Sequence, residues 1–125
     1  MSTILIVEDN EKNMKLVRDI LQHKGHTTLE ATTGEEGVRL ALERRPDLVL
    51  MDIQLPGIDG VEALRRIRAD SRLDAVPVIA ISASVMPDDQ RHIVASGFEA
   101  FLTKPISLKP FLATVERFLK QGRAR

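Results

Sequence analysis

The 125-residue chain has no cysteine, no tryptophan and no tyrosine, and its aromatic content is 3%. Without cysteine there is no disulfide framework, no thiolate metal site and no thiol nucleophile, and a reducing compartment is compatible with the composition. So few aromatic rings leave little on which unpaired bases could stack. Charge of one sign is also missing, because 18 Lys and Arg balance 18 Asp and Glu and alternate along the chain. Nucleic acid is therefore not an expected partner. No apolar run approaches the length of a bilayer span, and Met1-Ser2-Thr3 lacks the basic start of a signal peptide. The expectation is a cytoplasmic protein with no membrane partner. Repeats, low-complexity tracts and Pro/Gly/Ser linkers are absent as well. The chain reads as one domain over residues 1–121 followed by a short basic tail, 122–125, with 43% hydrophobic residues to fill one core.

What is present is an alternation. Short β-favouring runs at Ile4 to Val7, Thr27 to Ala31, Leu48 to Met51, Val78 to Ile81 and Ala100 to Leu102 are separated by amphipathic segments. Four of these runs are almost continuously apolar, as parallel strands covered on both faces should be, and the second is more polar and reads as an outer strand. Helix limits are marked by side-chain chemistry. Asn10 caps a first helix with Met14, Val17 and Leu21 on one face, and Gly25 ends it. Thr33 with Glu36, and Asp59 with Glu62, form capping-box patterns, and Pro46 closes the second helix. Pro87 suits the first turn of a fourth helix that closes at Gly97. Ser107 caps a fifth, with Leu108, Phe111, Leu112, Val115, Phe118 and Leu119 at helical spacing. The class is α/β, a doubly wound five-stranded parallel sheet, and ligands of such sheets bind beyond the carboxyl ends of the strands.

Those ends carry chemistry. Glu8 and Asp9 follow the first strand, Asp52 the third, Ser82 the fourth and Lys104 the fifth. In a parallel sheet these residues converge on one edge. Three carboxylates in one cleft repel one another, and a hard divalent cation resolves the conflict. Magnesium suits an all-oxygen site, with Asp9 and Asp52 binding directly, the Gln54 main-chain carbonyl as a third protein oxygen and Glu8 holding a metal-bound water. A carboxylate oxygen of Asp52 is then a candidate nucleophile toward phosphorus, with Lys104 and the Ser82 hydroxyl placed to stabilise the phosphoryl oxygens. Taken singly each residue has a plainer explanation, Asp52 as a turn former or Lys104 as a solvated charge, but four coincidences at four strand ends are needed for the plain reading to hold.

The stretches Ile-Leu-Ile-Val-Glu8-Asp9-Asn10, Leu-Val-Leu-Met-Asp52-Ile-Gln-Leu-Pro56-Gly57, Ile-Ser82-Ala83 and Phe101-Leu-Thr-Lys104-Pro105 resemble the receiver domains of response regulators over essentially the whole chain. The resemblance implies the flavodoxin-like (β/α)5 fold with strand order 2-1-3-4-5. It implies a two-component receiver, not an enzyme beyond its own phosphoryl transfer and hydrolysis, that takes phosphate onto Asp52 from the phosphohistidine of a sensor histidine kinase or histidine phosphotransferase. It further implies a cis Lys104-Pro105 bond, and a switch in which Ser82 moves toward the phosphoryl group and Phe101 turns into the vacated space. The altered fourth and fifth β-α units then meet a downstream protein target. Phe101 stands where many members have Tyr, and Ser82 where Thr is frequent. Among receivers the likeness is to stand-alone regulators of cell division, through Asn13-Met14-Lys15 and Lys104-Pro105-Ile106-Ser107. A receiver module of a hybrid kinase or longer regulator is the alternative, and a magnesium-dependent phosphatase is disfavoured because Gln54 stands where such hydrolases place an acid-base Asp.

Other residues are assigned lesser roles. In this family partner choice depends on the exposed face of the first helix, here read as including Asn13, Met14 and Val17. Gln54 and Ser84 flank the site and tune hydrolysis. Arg65, Arg66 and Arg68 are read as a solvated helix face, Met14, Met51 and Met86 as packing, and Phe101 as core. His23, His26 and His92 have no metal-like spacing.

Overall fold

The computed structural model describes residues 2–83 and 87–122; Ser84, Met86 and the basic end 123–125 lie outside the described residues. Strands β1 (Thr3–Val7), β2 (Thr27–Ala31), β3 (Leu48–Asp52), β4 (Val78–Ser82) and β5 (Ala100–Thr103) alternate with helices α1 (Glu11–His23), α2 (Gly34–Arg44), α3 (Gly60–Arg68), α4 (Pro87–Ala95) and α5 (Leu108–Gln121). The strands form one parallel sheet in the order β2-β1-β3-β4-β5.

The two-residue period of the strands divides the core into two layers. Leu5, Val7, Val49, Met51, Val78 and Ala80 face α2, α3 and α4, and pack with Val38, Ala41, Leu64, Ile67 and Ile93. Ile4, Ile6, Leu48, Leu50, Ile79 and Ile81 face α1 and α5, and pack with Met14, Val17, Leu21, Phe111, Val115 and Phe118. Because β1, β3 and β4 have helices on both sides, every residue of β3 and β4 is buried. Each fully buried Leu or Ile in these layers contributes about 1.5–3 kcal/mol.

The caps behave largely as the sequence predicts. Asn10, Thr33 and Asp59 side chains accept the main-chain N–H of Asn13, Glu36 and Glu62, respectively. Arg45, the residue before Pro46, is left-handed at φ 43 and stops α2, and Gly25 at φ +88 follows α1. Ser107 occupies the cap position of α5, but makes no capping hydrogen bond.

Three expectations are corrected, and one element is added. β5 lies at a sheet edge with one neighbouring strand, so it is only half covered, and Phe101 within it is partly exposed. Leu108 is 54% exposed, since it opens α5 outside the stripe that faces the sheet. Arg68 is not solvated: its side chain is 15% exposed and its Nη2 lies 2.9 Å from Glu99 Oε1. A short 3-10 turn, Ser71–Leu73, follows α3 and buries Leu73.

Candidate functional site

The site is assembled by strand register. Val7 pairs with Met51, so Glu8 and Asp52 emerge side by side from the two central strands. Asp52 pairs with Ile81, and Ser82 with Thr103, which carries the same edge across to Lys104. Main-chain bonds continue each ladder past its end: Glu8 N donates to Ala31 O at 2.9 Å, Ile53 N to Ile81 O at 3.1 Å, and Lys104 N to Ser82 O at 2.8 Å. Backbone geometry therefore places the candidate side chains. The Lys104-Pro105 bond is cis, as the resemblance implies.

Glu8, Asp52 and Ser82 are buried, the three polar residues in an otherwise apolar interior among the described residues, whereas Asp9 is exposed at the mouth. Lys104 Nζ lies 2.8 Å from Asp52 Oδ2 and 2.8 Å from Glu8 Oε1, and bridges the two carboxylates. The second oxygen of each is also held. Asp52 Oδ1 accepts the Gln54 N–H at 3.0 Å, and Glu8 Oε2 accepts the Asn10 N–H at 3.1 Å. Sequence reading took Asn10 only as a helix cap and missed its hold on Glu8; its place two residues beyond Glu8, at a strand-to-helix turn, is the signal that points to it.

Burial pushes the Glu8 carboxyl above its ordinary value, and neighbouring Asp52 pushes it the same way against the opposing pull of Lys104 and the Asn10 amide. For Lys104, burial works against the charged form, but the bonds to Asp52 and Glu8 outweigh it and raise the pKa. Glu8, Asp9 and Asp52 each offer a carboxylate oxygen, and these atoms all lie within 4.8 Å of one another. An all-oxygen, anionic donor set at that spacing fits a hard divalent cation such as magnesium and suits no soft metal.

Glu8, Asp9, Asp52, Ser82 and Lys104 thus meet at one edge, and Gln54 stands exposed two residues beyond Asp52. Phe101 stands apart, lining a groove of about 560 Å³ with Gln90, Arg91, Val94 and Ala95. The face of α1 is corrected: Met14 and Val17 are buried at 6% and 2%, so its exposed side includes Glu11, Lys12, Lys15, Leu16 and Asp19, with Asn13 partly covered. His92 is exposed, and no histidine joins the acidic cluster among the described residues.

Residues 4–116 match the family of the response regulator receiver domain. The chain is 44% identical over 117 residues to the polar-differentiation response regulator DivK of Brucella anthropi, a match that covers 94% of this chain and 95% of that protein. DivK of Brucella melitensis matches to the same extent. Among solved structures, the receiver domain of the sensor histidine kinase PA1611 from Pseudomonas aeruginosa, determined with a magnesium ion coordinated in its active-site cleft, superposes with a TM-score of 0.88 at 32% identity, covering 95% of this chain and 98% of that one. A response regulator from Chloroflexus aurantiacus superposes with a TM-score of 0.90 at 25% identity, covering 95% and 98%. No described helix is long and apolar enough to cross a membrane.

Proposed function

Since the chain belongs to the response regulator receiver domains of two-component systems, which are phosphoacceptors and not classical enzymes, we propose that Asp52 receives a phosphoryl group from a phosphohistidine on a sensor kinase or histidine phosphotransferase. A carboxylate oxygen of Asp52 forms the new O–P bond as the P–N bond to the donor imidazole breaks, and the imidazole leaves with the bonding pair and takes up a proton. The observation that carries this reading is the Lys104 ammonium 2.8 Å from both Asp52 and Glu8, two members of the cluster formed by Glu8, Asp9 and Asp52.

Asp9 and Asp52, with the Gln54 carbonyl, would hold magnesium directly, and Glu8 would hold it through water. Bound there, the ion offsets carboxylate charge and the charge that grows on the phosphoryl oxygens. Lys104 exchanges its bond to Asp52 for one to a phosphoryl oxygen, and the Ser82 hydroxyl donates to another. That movement frees the space into which Phe101 turns, altering the groove with Gln90, Arg91 and Val94, where the fourth and fifth β-α units meet a downstream protein. Hydrolysis of the acyl phosphate by the domain itself resets the switch. The receiver occupies residues 1–121 with 122–125 as a basic tail, and a cytoplasmic setting fits a kinase-fed switch. The likeness to DivK over nearly that whole protein supports a cell-division regulator. The likeness to PA1611 supports the alternative, a receiver module within a kinase.

The test is incubation of wild type and Asp52→Asn with a small acyl phosphate and magnesium, followed by intact mass measurement. Wild type gains one phosphoryl group and the variant gains none; equal labelling of both would overturn the assignment.

A further inference from the structure

The loop from Ile53 to Asp59 joins Asp52 to α3 and carries both the Gln54 amide bonded to Asp52 and the Gln54 carbonyl assigned to magnesium. Its far side rests on the start of α2. A Cβ placed on Gly34, the first residue of α2, would stand 2.6 Å from Ile58 Cγ1 and 2.7 Å from Ile58 O. The second of these is backbone, so a change of side-chain rotamer cannot relieve the contact. Gly57 makes a companion approach: its φ of +75 requires glycine, and a Cβ there would stand 2.6 Å from Glu35 Oε2 in the first turn of the same helix. At the other end of the loop, Gly60 N donates to Ile53 O at 2.9 Å, and a Gly60 Cβ would meet Asp52 O at 2.6 Å. Backbone thus leaves no room for a methyl group at Gly34 or at Gly60, whereas at Gly57 the group met is the movable tip of the Glu35 side chain.

We infer that Gly34 is a positioning residue for the phosphoacceptor site: by letting α2 touch the Ile58 backbone, it sets where the Gln54 main chain stands relative to Asp52. Gly34 touches no reacting atom and acts through the loop alone. An added methyl moves Ile58 away from α2, and because the Gly60 N–H holds the far end of the loop to Ile53 O, the displacement passes back along the loop toward Gln54. The inference rests on the magnesium site proposed above.

Gly37, one turn along α2, supplies the control. The three nearest atoms that a Cβ there would meet all belong to the side chain of Val7, with Cγ2 at 2.7 Å, so Gly37→Ala imposes the same chemical change on the same helix against the core instead of the loop. Magnesium affinity is measured by calorimetry on full-length wild type, Gly34→Ala and Gly37→Ala, with thermal midpoints recorded alongside. The expectation is that magnesium dissociation from Gly34→Ala is raised about ten-fold, as displaced supports of metal ligands usually show, while Gly37→Ala stays near wild type whatever its midpoint. Should Gly34→Ala not fold, Ile58→Ala approaches the same contact from the loop side, leaving a gap where Gly34 now presses, and also weakens magnesium binding. Unchanged affinity in the folded variant that bears on this contact, or an equal loss in Gly37→Ala, overturns the inference. Failure of wild type to bind magnesium overturns instead the site on which it rests.

Discussion

The Lys104 ammonium donates to Asp52 Oδ2 at 2.8 Å across 52 residues of sequence, and with its second bond to Glu8 it is the cation that balances two buried carboxylates. Removing it leaves that charge uncompensated in a poorly solvated cleft. Lys104→Ala is expected to lose about 2 kcal/mol at neutral pH in chelator, read from urea unfolding. Burial already holds the Glu8 pKa above its ordinary 4.5. A carboxyl whose pKa is raised on folding favours the folded state below its unfolded pKa and loses that contribution as pH rises through the folded value. The deficit of Lys104→Ala therefore shrinks as Glu8 takes up its proton on acidification. A deficit that stays constant down to pH 4 contradicts the bridging role.

A divalent cation can take over part of that balance. Magnesium at about ten times its dissociation constant is expected to stabilise the wild type by about 1.4 kcal/mol. Asp9→Asn and Asp52→Asn each remove a negative charge from the acidic cluster, and their thermal midpoints should respond far less to the same magnesium. Scanning calorimetry with and without the ion distinguishes the two cases.

Away from the site, Glu62 receives hydrogen bonds from Arg65 and Arg66, which hold its pKa down to about 2. A depressed carboxyl contributes above its unfolded pKa, and the contribution disappears as pH falls through the folded value. Carboxyl NMR titration should show Glu62 still ionised at pH 3, and the double variant Arg65→Ala/Arg66→Ala should return its midpoint toward 4.5. An ordinary midpoint in the wild type rules out the clamp.

Two helix caps that look alike in sequence differ in structure. Thr33 accepts the Glu36 N–H at 3.1 Å, whereas Ser107 makes no capping bond. Thr33→Ala should cost about 1 kcal/mol and Ser107→Ala only a few tenths, measured by chemical denaturation. Equal losses would show that α5 is capped like α2 in solution.

Glu99 accepts from both Arg68 Nη2 at 2.9 Å and Val78 N at 2.8 Å, and so ties α3 to the start of β4. Glu99→Ala is expected to cost about 3 kcal/mol while leaving phosphorylation of Asp52 intact at temperatures where the variant remains folded. Loss of labelling by folded protein would place this pair in the chemistry and not in the scaffold.

The elements and the acidic edge were legible because they depend on local signals: apolar runs of strand length, capping residues, and polar residues placed immediately after each strand. Asp52, Glu8 and Lys104 could be gathered from this pattern because parallel register aligns strand ends whatever their separation in sequence. Residues whose surroundings depend on a distant partner were less legible. Arg68 looks solvated until Glu99, 31 residues later, is brought against it. Phe101 has the hydrophobicity of a core residue, but exposure at β5 follows from the number of neighbouring strands, which a single run does not encode. Met14 and Val17 show a conflict between two readings, because the stripe that packs on the sheet cannot also be the face a partner meets.

The place of β5 has one more consequence. Glu8 and Asp52 project from neighbouring interior strands, whereas Phe101 sits on a peripheral one with a free border. In the switch proposed here, substitution along that border would change which protein reads the signal, while the residues proposed to receive it stay fixed in the middle of the sheet.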